Sequence, residues 1–262
     1  MRVDLTKLPV GPEERKFLDE YVAKQIGKRV SNLGGINHGL RDDYLNSELP
    51  FPERATRHFY VPADDWRCFL DTECRRVVVE VANMYGSDLP VVYPWRAGLA
   101  FLHGFCDFGF PHHLHLGISR DERNPTKTAR KWLPLEDKKS QLLAKLRQIV
   151  IADIMVATGG SLITTIEEVF AAGARPSKII VAAIISAPEG IWRVLNKYPK
   201  YPEVKIVTAV LDNGLNEAGY IYPGLGDAGD KFFHELPLEY FNSARHAFSA
   251  FEWGALRFKC AV

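Results

Sequence analysis

The chain has 262 residues, 47% hydrophobic and 25% charged, with 33 Lys and Arg against 32 Asp and Glu. This composition excludes a disordered or collagen-like chain and suffices for a buried core without metal or disulfide staples. A formal net charge of +1 supplies no global field for a nucleic acid polymer or an anionic membrane, so an anionic ligand has to be held by local charges and backbone dipoles.

The four cysteines, Cys68, Cys74, Cys106 and Cys260, form no C-x-x-C pair and read as reduced thiols. The start of the chain has no apolar leader, and no apolar run nears the ~18 residues of a membrane span. The expected location is the cytoplasm and the expected partner a small molecule.

Residues 1–75 read as an N-terminal arm or cap on a main domain of residues 76–262. The arm opens with a helix over 13–29 and continues through SNLGGINHGLRDDYLNSELPFPERA, which has no clean periodicity. From about Leu70 the pattern becomes regular. CRRVVVEVANMYG predicts a helix with Val77, Val78 and Val81 on one face and Gly86 as its stop. Five segments then read as strands: LPVVYP, LHLGIS, IVIADIMVA, IIVAAIIS and VKIVTAVLD. They are unbroken apolar runs, the mark of strands covered on both faces. Between them, SLITTIEEVFAAG aligns Leu162, Ile166, Val169 and Phe170, and PEGIWRVLNKYP groups Ile191, Val194 and Leu195. The expected fold is α/β, a doubly wound, mostly parallel sheet flanked by helices.

Other segments carry weaker signals. RDERNPTKTARK, with five basic and two acidic residues, reads either as a mobile loop able to fold over a polyanion or as a plain solvated loop. His113 and His115 share one face of a strand, but no third ligand of suitable spacing is near, so strand histidines satisfied by backbone or water are favoured over a metal site. From Leu236 the tail predicts a C-terminal helix whose Phe241, Ala244, Phe248, Phe251 and Ala255 form an apolar stripe for core or interface packing.

The segment DIMVATGGS carries the clearest chemistry. An apolar strand ends in Thr158, Gly159, Gly160 and Ser161 and opens directly into a helix. Glycine lets backbone N–H groups approach a phosphate, the helix dipole favours an anion there, and Thr158 and Ser161 add hydroxyls. Gly159 is expected to leave the space that a phosphate fills. The plain alternative is a tight turn capped by Ser161. Asp153 tilts the choice, because a carboxylate on an apolar strand needs a polar partner such as sugar hydroxyls. Neither a P-loop nor a dinucleotide-binding glycine spacing occurs, which disfavours a nicotinamide-dependent oxidoreductase. Farther on, GYIYPGLGDAGD sets four glycines beside two aspartates, a loop whose backbone can read the edge of a flat polar ring, or an ordinary surface loop.

The motifs DIMVATGGS, APEGI and LNEAGYIYPGLGDAGDK, in this order, with Arg96-Ala-Gly-Leu99 and Arg120-Asp-Glu122 upstream, closely resemble the uracil phosphoribosyltransferase family over roughly residues 90–233. The resemblance implies a type I phosphoribosyltransferase fold and transfer of a phosphoribosyl group from 5-phosphoribosyl 1-diphosphate to uracil. Mg2+ would be carried by the diphosphate rather than ligated directly by the protein.

By matching motifs, Arg96 and Arg120 hold the diphosphate and Asp153 the ribose hydroxyls. Ile154, Met155 and Val156 belong to the same donor-binding segment, and Ala157, Thr158, Gly159, Gly160 and Ser161 wrap the 5′-phosphate. Ile221, Gly226, Asp227 and Ala228 receive the uracil, with Asp227 also facing the donor; Arg96, Arg120 and Asp227 form the catalytic set. The resemblance further implies a homodimer or homotetramer and GTP as a candidate effector. A regulator that keeps the fold and binds the donor or UMP without turnover is the alternative from another class. Ile154 in place of the family's usual proline, and Trp95 before Arg96, are departures from the pattern.

Overall fold

The computed structural model describes residues 3–36, 63–121, 124–132 and 146–226. Helix α1 (Pro12–Gln25) places a proline in its first turn, where the missing N–H costs nothing, and Glu14 folds back to accept from the Gly11 amide at 3.1 Å. It ends short of the expected residue 29 because Gly27, at φ 74°, leaves the helical region. Strand β1 (Val30–Asn32) follows, inside the stretch that shows no periodicity in sequence. Helix α2 (Ala63–Tyr85) starts well upstream of the expected CRRVVVEVANMYG and stops, as expected, at Gly86.

The central strands are β2 (Pro90–Trp95), β3 (His112–Asp121), β4 (Asn124–Trp132), β5 (Gln148–Ala152), β6 (Met155–Val156), β7 (Lys178–Ser186) and β8 (Glu203–Leu211). A 3-10 turn over Ala97–Phe101 and helix α3 (Leu102–Asp107) join β2 to β3. Helices α4 (Gly160–Ala171) and α5 (Pro188–Lys197) follow β6 and β7. A small antiparallel pair, β9 (Gly214–Leu215) and β10 (Ile221–Tyr222), comes after β8.

The strands line up as β1-β8-β7-β5-β2-β3-β4, with β6 also beside β7. Every pairing in this sheet is parallel except β3 with β4. Two expectations are corrected here. The run RDERNPTKTARK is not a loop: most of it is β4, paired from Leu116↔Trp132 to Arg120↔Thr128. The alternation of Thr126, Thr128, Arg130 and Trp132 is the period-2 signal that the charge run obscures. IVIADIMVA is also not one strand. It breaks at Asp153 and Ile154, though its register against β7 carries through, with Ala152 opposite Ala182 and Met155 opposite Ile185.

Alternate residues of each strand enter two separate cores, which is why these strands read as continuous apolar runs. Val91, Tyr93, Val150, Ala152, Ile180 and Ala182 pack with Phe69, Leu70, Val77 and Val81 of α2. Val92, Ile149, Ile151, Ile179 and Val181 pack on the other face with Leu162, Ile166 and Val169 of α4 and Ile191, Val194 and Leu195 of α5. Helices thus cover both faces, as expected of a doubly wound sheet. The expected C-terminal helix from Leu236 lies outside the described residues.

Candidate active site

In an open α/β sheet, ligands gather beyond the carboxyl ends of the strands where the chain reverses its direction of travel across the sheet. Here β2 leads outward to β3, while its neighbour β5 leads the opposite way to β7 and β8. The reversal lies between β2 and β5, which run parallel with Val91 opposite Val150. Arg96 is the first residue past β2, and Asp153 is the first past β5.

A cleft of about 390 Å³ opens at this point. One wall is Trp95 and Arg96, another Asp153, Met155, Ala157 and Ser161, and a third Tyr220 and Ile221, with Ile118 of β3 also on the lining. Segments far apart in sequence and singled out there separately are therefore walls of one cavity. Asp153 is only 8% exposed, a carboxylate desolvated at the edge of a cleft and suited to accept from hydroxyl groups.

The loop before α4 has the form expected of an anion cradle. Its N-cap is Gly159 at φ 73°, a left-handed conformation that brings no side chain over the first turn. Ser161 is therefore not the cap, and it faces the cleft instead. Thr158 Oγ1 accepts from the Gly160 amide at 3.4 Å, and Arg193 of α5 donates to the Thr158 carbonyl at 3.2 Å, so the turn is braced from behind.

The reason for Gly159 differs from the expectation that it clears room for a phosphate. A Cβ there would meet Val194 Cγ2 at 2.8 Å and the Gly190 carbonyl at 2.9 Å. The glycine lets α5 pack against the loop.

On the third wall, β9 and β10 pair with Leu215 opposite Ile221. Asn216 closes their turn, its Oδ1 accepting from the Ala218 and Tyr220 amides at 3.0 Å. Beyond β10, Asp212 Oδ2 accepts from the Gly224 amide at 2.9 Å. Asn216 thus shapes the segment 218–221 on the cleft wall, and Asp212 ties down the chain just beyond it. Sequence reasoning passed over both: Asn216, two and four positions before the amides it accepts from, is a recognisable turn signal, whereas Asp212 acts across twelve residues and leaves no local one.

The remaining expected residues are distributed unevenly. Ile154 and Val156 are buried in the two cores and are not on the lining. Gly226 is buried at φ 68°. For Arg120 the structure gives the backbone position, in β3 two residues past Ile118. Asp227 and Ala228 lie outside the described residues.

Behind Arg96, a stacked aromatic group fixes the strand ends. Tyr93 lies between His113 and His115 with ring centroids 5.7 and 5.4 Å away. Its hydroxyl pairs with His113 Nδ1 at 2.8 Å, and Trp95 Nε1 donates to His115 Nδ1 at 3.2 Å. The two histidines do share one face, and each is engaged by a β2 side chain. Burial holds the Tyr93 hydroxyl well above the usual phenol range and draws the His113 imidazole below the usual histidine range.

Comparison with known proteins bears on the same segments. Residues 81–234 match the family model described as uracil phosphoribosyltransferase. This chain belongs to the uracil phosphoribosyltransferase family. A curated relative named uracil phosphoribosyltransferase, from Acinetobacter baylyi, is 40% identical over 156 residues, which are 59% of this chain and 69% of that protein. Among solved structures, the AQ2163 protein from Aquifex aeolicus is similar at a TM-score of 0.60 and 26% identity, over 79% of this chain and 98% of that one. The matched family span contains all three cleft walls, and helix α1 lies outside it.

Proposed function

We propose that this chain is a uracil phosphoribosyltransferase that joins N1 of uracil to C1 of 5-phosphoribosyl 1-diphosphate, giving UMP and diphosphate in pyrimidine salvage. The observation that carries the reading is the cleft at the β2/β5 reversal, where the Arg96 guanidinium, the desolvated Asp153 carboxylate, the first turn of α4 at Ser161 and the segment 218–221 meet. Attack on C1 with loss of diphosphate passes through an oxocarbenium-like sugar, and charge builds on the leaving group. Arg96, permanently charged and able to donate two parallel hydrogen bonds to phosphate oxygens, takes that charge, with Arg120 as its partner from the end of β3. Asp153 holds the ribose hydroxyls, the first turn of α4 holds the 5′-phosphate, and the backbone around Ile221 and Gly226, with Asp227 and Ala228, receives the base. Ser161 acts as a phosphate ligand, not as a nucleophile.

No cluster of three His, Cys, Asp or Glu side chains able to enclose a metal occurs among the described residues. Asp153, the carboxylate on the cleft lining among the described residues, suits an ion already chelated by the donor's diphosphate better than one caged by protein. Mg2+ arriving with the donor would supply Lewis-acid neutralisation of the leaving group. In the same reading the protein works in the cytoplasm as a homodimer or homotetramer, with GTP as a candidate effector. Among the described residues, no helix is long and apolar enough to cross a membrane.

The test is formation of UMP and diphosphate from labelled uracil, donor and Mg2+, run beside cytosine, hypoxanthine and orotate. Product from uracil alone is expected. Binding of donor or UMP with no turnover would instead make the chain a regulator on the same fold.

A further inference from the structure

We propose that Arg15 and Glu189 are positioning residues for the base-binding wall, so that helix α1 sets the affinity for the base from outside the cleft. The proposal rests on the reading of the cleft given above. Glu189 stands in the first turn of α5 with its side chain fully buried. Its Oε1 accepts from the Leu215 amide at 3.1 Å and from the Arg15 guanidinium. Its Oε2 is buried without a hydrogen-bond partner among the described residues, so Arg15 is the close counter-charge to a carboxylate taken wholly out of water. The same guanidinium donates to the Asn213 carbonyl at 2.8 Å. Gly214, between these two anchor points, makes room for it, since a Cβ there would overlap the guanidinium.

The two anchored residues flank and include β9, and β9 is paired to β10, whose Ile221 lines the cleft. A chain of direct contacts therefore runs from α1 through Glu189 to the Leu215 amide, across the Leu215–Ile221 pair, and into the wall. Donor contacts lie on the opposite walls, at Arg96, Asp153 and Ser161. Loss of Arg15 strands the buried Glu189 charge that holds the Leu215 amide, releases the Asn213 carbonyl and loosens one wall only. Arg15 lies outside the span matched by the family model, so this anchor belongs to the chain's own N-terminal segment.

The test compares wild type, Arg15→Met, Arg15→Lys and the double variant Arg15→Met with Glu189→Gln. Steady-state kinetics in each substrate are read beside amide hydrogen exchange of residues 213–222. Arg15→Met is expected to raise KM for uracil on the order of tenfold while KM for the donor stays within about twofold, and to speed exchange at residues 213–222 by on the order of tenfold. Arg15→Lys, which keeps the charge, restores part of both, and the double variant, which removes the stranded charge, restores part of the exchange protection. Equal changes in both KM values, or unchanged uracil KM and unchanged exchange, overturn the proposal. Absence of UMP from the wild type refutes the functional reading instead, and the exchange data then still decide whether Arg15 holds the hairpin.

Discussion

Arg96 and Asp153 are each the first residue beyond the carboxyl end of a strand, and the two strands, β2 and β5, are parallel neighbours at the point where the sheet reverses direction. A cation and a buried anion are thereby set on two walls of one cleft by backbone topology rather than by long flexible connections. Their roles separate under substitution. Arg96→Ala is expected to keep the fold, since the side chain is exposed, and to lower kcat by on the order of a hundredfold, as loss of a preorganised charge donor does. Arg96→Lys recovers only part, because an ammonium cannot reproduce the paired hydrogen bonds. Circular dichroism and initial rates of diphosphate release check both.

Asp153→Asn keeps size and polarity but removes the charge that hydroxyl groups would donate to. The expected result is a rise in donor KM by roughly tenfold or more, the scale of a charge-assisted hydrogen bond, with uracil KM little changed. Isothermal titration with the donor alone measures the loss without turnover.

Gly190 meets the loop before α4 backbone to backbone: a Cβ there would lie 2.8 Å from the Val156 carbonyl oxygen and overlap that of Ala157. Gly190→Ala is therefore expected to cost roughly 1–3 kcal/mol of stability through forced displacement of α5 and to weaken donor binding as the loop moves with it. Urea unfolding and donor titration read the two effects. Gly159→Val acts in the same way, by collision with Val194 and Gly190, and not by filling phosphate space.

His113 links pH to stability. Burial lowers its pKa in the folded chain relative to about 6.5 in the unfolded one. Between those two values the unfolded chain binds more protons, so this contribution to stability is full above pH ~6.5 and is lost progressively as pH falls from there through the lowered folded pKa. The wild-type Tm is expected to drop between pH 7.5 and 5.5 more steeply than that of His113→Gln, as followed by thermal melts across that range.

Much of the fold was legible because its strands are buried on both faces. Runs such as KIIVAAIIS, the whole of β7, leave no choice but a covered sheet, and the intervening helices show their apolar faces plainly. The cleft wall formed by Asp153 and the start of α4 was legible for a different reason: Asp153 on an apolar strand and the glycines before α4 are anomalies in sequence that demand a cause. What escaped depended on partners distant along the chain. β1 has three residues and acquires meaning only beside β8. Glu189 looks like an ordinary helix-start acid until Arg15, 174 residues away, is found against it. Gly159 reads as a turn residue and Gly190 as part of a helix in sequence, and in space they mark the close approach of two elements.

The most direct test of the central claim, that one cleft at the β2/β5 reversal holds both halves of the nucleotide, is a crystal structure of the protein with UMP. The account predicts the phosphate on the first turn of α4 beside Thr158 and Ser161, the ribose hydroxyls on Asp153, and the uracil ring against the backbone around Ile221. UMP seated elsewhere, or in the cleft with its base on the Arg96 wall, would contradict it.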